Sequence, residues 1–332
     1  MVQLVPIYKE RADYSQNRLN ELGNRIGKIP GISDYTNLTI FGAGSYARQE
    51  ACKHSDIDMF FLCKEERNDL PDPHTKELRL FGKLIDIVDN MNFPTFSNDC
   101  EFIKIHYCPQ ILENIGNPKD DHENYFTVRM LLLLESKCLY GNETYDDIIQ
   151  KIIDSYFRDY PDHEQTFQPI FLLNDICRFW KTLLMNYEFK RHGTNYTEEQ
   201  KTKQKVKNFK LKFSRMTTCF ATIASLCSYK IPVKENQVIE QTHLTPRERL
   251  ESIALRIPET EKAVQAVLDQ YAFFLEKTGL TTDELQAHFS DKKKRTEMFQ
   301  TANEYGNEMF TLLHTLDNVQ KDDSKFLRYL VI

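Results

Sequence analysis

The order of apolar and polar positions divides the chain into two parts. In the first part, three short apolar runs are typical of strands, at residues 37–41, 57–63 and 101–107. Apolar residues recur at helical spacing over residues 76–90, between the second and third runs, and over 8–28 near the start. This alternation of strands and helices predicts a small α/β head.

From about residue 123 onward the apolar positions keep a helical repeat. Helices are predicted over residues 125–137, 145–157, 171–189, 203–228 and 295–317. Two capping boxes, Thr245 with Glu248 and Thr281 with Glu284, mark the starts of further helices. We therefore predict an α+β fold, with a head that contains a mixed sheet over residues 1–122 and an all-helical body over residues 123–332.

The composition is that of a globular protein of 332 residues, with 41% hydrophobic and 28% charged residues. The longest apolar run is far shorter than the roughly 20 residues of a membrane helix, and the first residues lack the apolar segment of a signal peptide. The eight cysteines include no C-x-x-C pair and mostly lie in apolar stretches, as reduced cysteines do. We expect a cytoplasmic protein with no membrane partner.

The charge is unevenly distributed along the chain. The net charge of −6 excludes a protein that coats nucleic acid with its whole surface. Residues 190–215, however, contain nine Lys or Arg against two Glu, and Lys203, Lys207 and Lys210 share one predicted helix face. This face is compatible with a solvated surface, or with attraction for a nucleotide, an RNA or an acidic protein.

A glycine-rich turn follows the first predicted strand, within the segment FGAGSYARQEACKHSDIDMFFL at residues 41–62. Its glycines remove side chains, so that backbone N–H groups can approach a phosphate closely. Ser45 then opens a short predicted helix over residues 46–53, whose positive N-terminal end favours an anion. This part of the segment predicts a phosphate-binding turn.

Two aspartates follow at the start of the second predicted strand. Asp56 and Asp58 are two residues apart, which places both carboxylates on one face of a strand, while Ile57 points into the core. Neighbouring carboxylates repel each other unless a cation neutralises them. Mg²⁺ is the natural choice, because it prefers oxygen ligands and also binds triphosphate oxygens.

The joint pattern resembles the polymerase-β-like nucleotidyltransferase superfamily. It looks closest to the branch that holds the signal-protein uridylyltransferase and the glutamine-synthetase adenylyltransferase, and it covers roughly residues 36–142. The residues that carry the resemblance are Gly44, Ser45, Arg48, Glu50, Ser55, Asp56 and Asp58. The segment 126–141 also resembles the leucine-rich, Glu-containing helix that follows in those relatives.

The resemblance implies a role for each part of the pattern. Gly44 and Ser45 would hold the triphosphate of a nucleotide, and Asp56 and Asp58 would bind two metal ions, Mg²⁺ or Mn²⁺. Arg48 and Glu50 match the Arg-x-Glu of the family and would belong to the nucleotide site, although an ordinary helix surface is also compatible with them. Ser55 is another nucleotide-site candidate, with a simple capping or turn residue as the alternative.

The superfamily commonly uses a third carboxylate on a later strand. Glu101, at the start of the third predicted strand, is the best choice for this catalytic group. Asp86 and Asp89 lie on the predicted helix opposite its apolar stripe, which favours a solvated face. Without a third carboxylate the activity itself would be in doubt, because that group often serves as the base.

One polar stripe interrupts the predicted helix at 171–189. Asn174, Arg178 and Lys181 share a face of this otherwise apolar helix. We expect the stripe to form a wall of the nucleotide site, with Arg178 or Lys181 on the triphosphate. The alternatives are a solvent-facing stripe or an internal ion pair with Asp175.

The function expected from these residues is transfer of a nucleoside monophosphate from a nucleoside triphosphate to a hydroxyl, with release of pyrophosphate. The acceptor stays open between a protein, a small molecule, an RNA end and a second nucleotide. A different class is a degenerate nucleotidyltransferase that binds nucleotide as a regulatory module, or that serves as a toxin–antitoxin or defence component.

Overall fold

The computed structural model describes residues 2–66, 75–94, 103–191 and 196–320, together with Leu327 and Leu330. Tertiary contacts divide the chain into two compact units. We call Lys9–Arg158 the sheet unit, and Met1–Tyr8 together with Asp159–Ile332 the helical unit. The sheet unit thus runs beyond the boundary predicted after residue 122, because a further strand and two helices pack within it.

The sheet unit contains a four-stranded sheet in the order β3-β2-β1-β4. Its strands are β1 (Leu38–Ala43), β2 (Asp58–Cys63), β3 (Ile105–Tyr107) and β4 (Ser136–Tyr140). β1 is antiparallel to both β2 and β4, whereas β3 is parallel to β2. The sheet is therefore mixed, and the predicted α+β class is confirmed.

Helices cover both faces of this sheet. Those in this part of the chain are α1 (Pro6–Ile26), α2 (Gly44–Ala47), α3 (Thr75–Asn90), α4 (Cys108–Glu113), α5 (Pro118–His122), α6 (Tyr125–Leu134) and α7 (Asn142–Tyr156). The side chains of Met59 and Phe61 join Leu22 of α1 and Leu84 of α3 in one core. On the opposite face Phe41 stacks on Phe60, with ring centroids 5.4 Å apart, and contacts Tyr145 of α7.

Three predicted elements of the sheet unit need correction. The helix predicted over residues 46–53 is only the single turn α2, since Gln49 has a left-handed backbone (φ 59°) that ends it. The helix predicted over 125–137 ends at Leu134, and the chain then pairs with β1 as β4, a strand that the apolar run had hidden. β1 extends to Ala43, two residues beyond its predicted end.

The helical unit contains eight α-helices that lie wholly within it in the described part of the chain. They are α8 (Ile170–Arg191), α9 (Glu198–Lys210), α10 (Met216–Cys227), α11 (Glu235–His243), α12 (Pro246–Arg256), α13 (Glu261–Thr278), α14 (Thr282–Ser290) and α15 (Lys292–Gln320). A π-helical stretch, Leu211–Arg215, joins α9 to α10, where one uninterrupted helix was predicted. Both predicted capping boxes are confirmed, at Thr245 and Thr281.

Aromatic rings fill the centre of the helical unit. Phe213 stacks on Tyr305 and on Phe274, with centroid distances of 4.6 and 5.1 Å, and Phe209 packs beside them. The helices therefore share one core built around the segment that joins α9 to α10. A search of the described helices finds none that is both long and apolar enough to cross a membrane.

Candidate functional site

The glycine turn and the second aspartate meet at one end of the sheet. β1 ends at Ala43, which pairs with Asp58 in the antiparallel register, and α2 begins with Gly44. The backbone of Gly44 is left-handed, with φ at +71°, and a Cβ atom on this residue would lie 3.0 Å from Oδ2 of Asp58. Glycine is thus favoured here twice, by the left-handed backbone and by the carboxylate beside it.

Asp56 lies just before β2 rather than within it. Both Asp56 and Asp58 are half-buried, while Ile57 between them is 1% exposed and belongs to the core, as predicted. The core thus fixes the strand start so that the Asp58 side chain stays beside Gly44. The half-exposed carboxylate of Asp58 beside the Gly44 backbone offers hard oxygen donors of the kind that a divalent cation prefers.

Among the residues that the structure describes, no third carboxylate joins these two in a metal-binding group. Within the described ranges, no group of three or more His, Cys, Asp or Glu side chains is arranged to hold a metal ion. Glu101, the expected third catalytic group, lies outside the described residues. Asp86 and Asp89 are exposed on α3, which confirms the expectation of a solvated face.

Ser45 follows Gly44 in the single turn of α2, with its side chain half-buried. Backbone hydrogen bonds close this turn: the N–H of Arg48 donates to the carbonyl of Gly44 at 3.0 Å, and that of Glu50 donates to the carbonyl of Ser45 at 2.8 Å. The turn is therefore held at its C-terminal side by the two residues of the Arg-x-Glu motif.

Arg48 and Glu50 are buried, so the ordinary helix surface considered for them is wrong. The guanidinium of Arg48 donates through Nε to Glu50 Oε2 at 2.8 Å and through Nη1 to Glu135 Oε2 at 2.6 Å. All three side chains are at most 7% exposed. Buried charges persist only when they are paired in this way, and together they connect the Gly44 turn to the end of α6.

Glu135 is the residue of this network that the sequence reasoning did not single out. It directly follows the apolar run Met130–Leu134 and stands between α6 and β4. The available signal was an acidic residue placed next to five consecutive buried apolar ones. Such a carboxylate predicts a buried cationic partner, but the pairing with Arg48 depends on the strand β4, which was not predicted.

Ser55 closes a turn in the segment between α2 and β2. The N–H of Cys52 donates to Ser55 Oγ at 3.0 Å, and the N–H of Ser55 donates to the carbonyl of Cys52 at 2.9 Å. The N–H of Ala51 donates to Ser15 Oγ of α1 at 3.0 Å, which anchors the segment to that helix. The turn role of Ser55 is thus confirmed, and its contact with a nucleotide stays a prediction.

The same segment holds a thiol in a polar setting. Burial alone would raise the pKa of Cys52, but hydrogen bonds from the backbone of His54 and from the side chains of Arg11 and Ser55 outweigh it and lower that pKa. Arg11 thereby places a positive charge beside the turn that leads into Asp56.

One residue of the polar stripe in the helical unit, Arg178, has an internal partner. Asn174 and Lys181 are exposed on α8, whereas Arg178 is half-buried and pairs with Asp175, at 3.5 Å between Nη1 and Oδ1. The internal ion pair considered for this stripe is therefore present at Arg178. The role of the stripe in a nucleotide site stays a prediction.

No family model matches this chain, and no curated protein matches it either. A functional assignment therefore depends on the residues of the site themselves.

Proposed function

We propose that this protein is a metal-dependent nucleotidyltransferase that moves a nucleoside monophosphate from a nucleoside triphosphate to a hydroxyl acceptor. The observation that supports this most is the approach of the Gly44 backbone to the carboxylate of Asp58. A turn that can hold phosphate oxygens and a carboxylate that can hold a cation are thereby adjacent. Nucleotidyl transfer needs this adjacency, because one metal ion is bound both by the carboxylates and by oxygens of the triphosphate.

The chain's own residues divide the work of the reaction. The N–H groups at Gly44 and Ser45 bind and orient the triphosphate, and Asp56 and Asp58 would hold Mg²⁺ or Mn²⁺. When bound, the metal supplies a lower pKa for the acceptor hydroxyl and charge neutralisation for the leaving group. The Arg48 network keeps the turn in place. A contribution of Asn174, Arg178 and Lys181 to triphosphate binding stays a prediction.

The bonds change as in other phosphoryl transfers. The acceptor oxygen attacks the α-phosphorus and forms a new O–P bond, while the bond from that phosphorus to the bridging oxygen of the β-phosphate breaks. Pyrophosphate leaves with the electron pair, and the acceptor proton passes to a carboxylate base, for which we propose Glu101. The acceptor class is a protein, a small molecule, an RNA end or a second nucleotide.

The experiment is incubation of the chain with each labelled nucleoside triphosphate and Mg²⁺ or Mn²⁺, with pyrophosphate release, self-labelling and new small products as readouts. Asp56→Asn and Asp58→Asn should each lower the rate by about 10²-fold or more, the scale for one key electrostatic group. Asp86→Asn and Asp89→Asn, which change exposed carboxylates of α3 in the same way, should leave it unchanged. Full activity in both site variants would refute the proposal.

A second candidate is a degenerate nucleotidyltransferase that binds nucleotide and regulates a partner or acts in a toxin–antitoxin or defence system. It is favoured by one observation: within the described residues, Asp56 and Asp58 are not joined by a third ligand. Calorimetric binding of a triphosphate by a chain that releases no pyrophosphate would favour this candidate. Pyrophosphate release that is lost in Asp58→Asn would favour the enzyme.

We also propose a cytoplasmic location. The seven cysteines in the described part of the chain are all free thiols, at Cys52, Cys63, Cys108, Cys138, Cys177, Cys219 and Cys227. Free thiols in this number are typical of a reducing compartment.

A further inference from the structure

The helical unit carries a concentrated positive charge that the proposed chemistry does not use. Between Lys201 and Arg215 the sequence has seven basic residues and no acidic one, in a chain of net charge −6. A stretch that opposes the charge of the whole molecule so strongly indicates a surface for an anionic partner.

The fold places these lysines on the outside of α9. Lys203, Lys207 and Lys210 are exposed, while Phe209 between them is 0% exposed and anchors the helix. Lys203 pairs with Glu199, but both side chains are at least half exposed, and such a surface pair competes poorly with a polyanion. The three lysines span about 10 Å along the helix axis, at 1.5 Å per residue.

A second basic run lies close to α9 through a shared aromatic contact. The ring of Phe289 in α14 packs against Phe209 of α9 at 5.4 Å and against Phe299 of α15 at 5.6 Å. The residues 292–295, KKKR, begin α15 and immediately follow α14. Two basic runs from distant parts of the sequence therefore belong to one packed group of helices.

A polar bond fixes the same arrangement. Nζ of Lys212 donates to Oδ1 of Asn303 in α15 at 2.7 Å, so the stretch after α9 is tied to that helix. We define the basic face as Lys203, Lys207 and Lys210 of α9 with Lys292, Lys293 and Lys294 of α15, all of which are exposed.

We propose that the basic face binds the phosphodiester backbone of a nucleic acid. Lysine ammonium groups act as point charges for phosphate, and a nucleic acid presents such charges at regular, close intervals. Contacts of this kind position a strand without reading its sequence. Binding here goes beyond nucleotidyl transfer and stands or falls independently of it.

Two other anionic partners fit the face less well. Membrane-surface helices expose large apolar side chains beside their lysines, but no large apolar side chain in the described residues of α9 is exposed. Protein interfaces are built around buried aromatic anchors, and no aromatic ring in the described residues of α9 is exposed. A row of exposed lysines without exposed apolar neighbours matches a partner whose charges are dense and repeated.

The test is fluorescence anisotropy of the full chain with a labelled single-stranded RNA, a DNA of the same sequence and labelled polyglutamate, across a range of salt concentrations. The variant Lys203→Gln/Lys207→Gln/Lys210→Gln is compared with Lys9→Gln/Lys28→Gln/Lys262→Gln, which removes three exposed lysines elsewhere. Unfolding curves of both variants check that the fold is retained.

We expect the α9 variant to lower the slope of log K against log salt by about 2, since each lost phosphate contact in a single strand contributes about 0.7. If the variant and the unchanged protein bind equally at 1 M salt, a change of about 2 in slope makes the variant about a hundredfold weaker at 0.1 M salt. The control variant should bind like the unchanged protein. Equal affinity for RNA and DNA would support recognition of the backbone. Tighter binding of RNA would indicate an additional contact to the 2′-hydroxyl.

The proposal is overturned if the α9 variant binds as tightly as the control variant. It is also overturned if polyglutamate binds as tightly as RNA, which would point to an acidic protein. Because no triphosphate or metal is added, a negative result leaves the proposed transfer reaction untouched, and a failure of transfer leaves this result untouched.

Discussion

The carboxylate of Asp58 lies directly against the space where any other residue at position 44 would carry its Cβ atom. A Cβ atom at position 44 would lie 3.0 Å from Asp58 Oδ2, on a backbone whose φ of +71° already disfavours L side chains. The turn that follows β1 and the start of β2 are therefore shaped for each other. This relationship links the turn for which we propose phosphate binding to the carboxylate for which we propose metal binding.

Gly44→Ala should reduce activity more than stability. The left-handed backbone costs about 1 kcal/mol for a residue with a Cβ. The added methyl group also displaces the Asp58 carboxylate. We therefore expect the transfer rate to fall by at least about tenfold, which is less than the full loss of one key electrostatic group. Gly82→Ala is the matched control. Gly82 is an exposed residue in the middle of α3, and a Cβ atom there would meet nothing within 4 Å. That change should stabilise the fold by about 0.5–1 kcal/mol and leave activity intact. Equal rates in both variants would contradict the role assigned to Gly44.

The Arg48 network leads to a ranking of stabilities. Arg48→Ala leaves Glu50 and Glu135 buried without their shared cation, whereas Glu135→Gln keeps a neutral acceptor of the same shape. Arg48→Ala should therefore lower the free energy of unfolding by about 3–5 kcal/mol, the range for breaking a buried pair, and Glu135→Gln by less. Urea unfolding measures both. If Glu135→Gln were the more damaging change, the network would not be the electrostatic unit described.

Several features of the fold were predictable because the local sequence determines them. Ile57 is buried between two half-exposed aspartates, as strand alternation requires. The helix α3 follows its apolar repeat closely, and the capping box at Thr245 forms with Glu248, whose Oε2 accepts a hydrogen bond from the Thr245 N–H at 2.7 Å. In each case the deciding contacts lie within a few residues.

The features that were missed depend on distant contacts. Ser136–Tyr140 becomes β4 because β1 offers it an antiparallel partner almost a hundred residues earlier. Periodicity cannot show this, since the preceding run of leucines suits a helix or a buried strand equally. The pairing of Arg48 with Glu135 follows from that strand and was invisible for the same reason. The short length of α2 depends on one left-handed residue, Gln49, of a type that is rarely left-handed.

Binding of a nucleoside triphosphate should depend on divalent metal. Without the cation, the phosphate oxygens face the carboxylates of Asp56 and Asp58, and like charges repel. Calorimetry should show clearly weaker binding in EDTA than in Mg²⁺. In Asp58→Asn this dependence should shrink, because one carboxylate is gone. Equal affinity with and without metal in the unchanged protein would point to a different phosphate site.

Lys181→Ala should weaken triphosphate binding with little effect on stability. Its side chain is exposed on α8, so truncation leaves no cavity, while an ammonium on phosphate contributes about 1–3 kcal/mol. The expected loss of affinity is about five- to 150-fold. Lys190→Ala removes another exposed lysine of the same helix and serves as the control. Identical binding by the two variants would remove the stripe from the nucleotide site.

His106 should make the sheet unit sensitive to acid. It lies on β3, opposite Leu62 of β2, and is 4% exposed. Burial, with a smaller contribution from Lys104, lowers the pKa of this imidazole from 6.5 to about 3. Between these two values the unfolded chain binds a proton that the folded chain does not.

The sign of this effect follows from that difference in bound protons. The contribution of His106 to stability is fully present above pH 6.5 and is lost as the pH falls from 6.5 toward 3, by about 1.4 kcal/mol per pH unit at most. His106→Leu removes the titrating group, so its free energy of unfolding should fall less steeply between pH 6.5 and pH 4.5 than that of the unchanged protein, in urea titrations at each pH. His314→Leu, a change on α15 of the helical unit, controls for the loss of a histidine. Parallel curves for His106→Leu and the unchanged protein would contradict this prediction. They would mean that the folded chain binds the His106 proton as readily as the unfolded chain does, so that the buried site tolerates the charge.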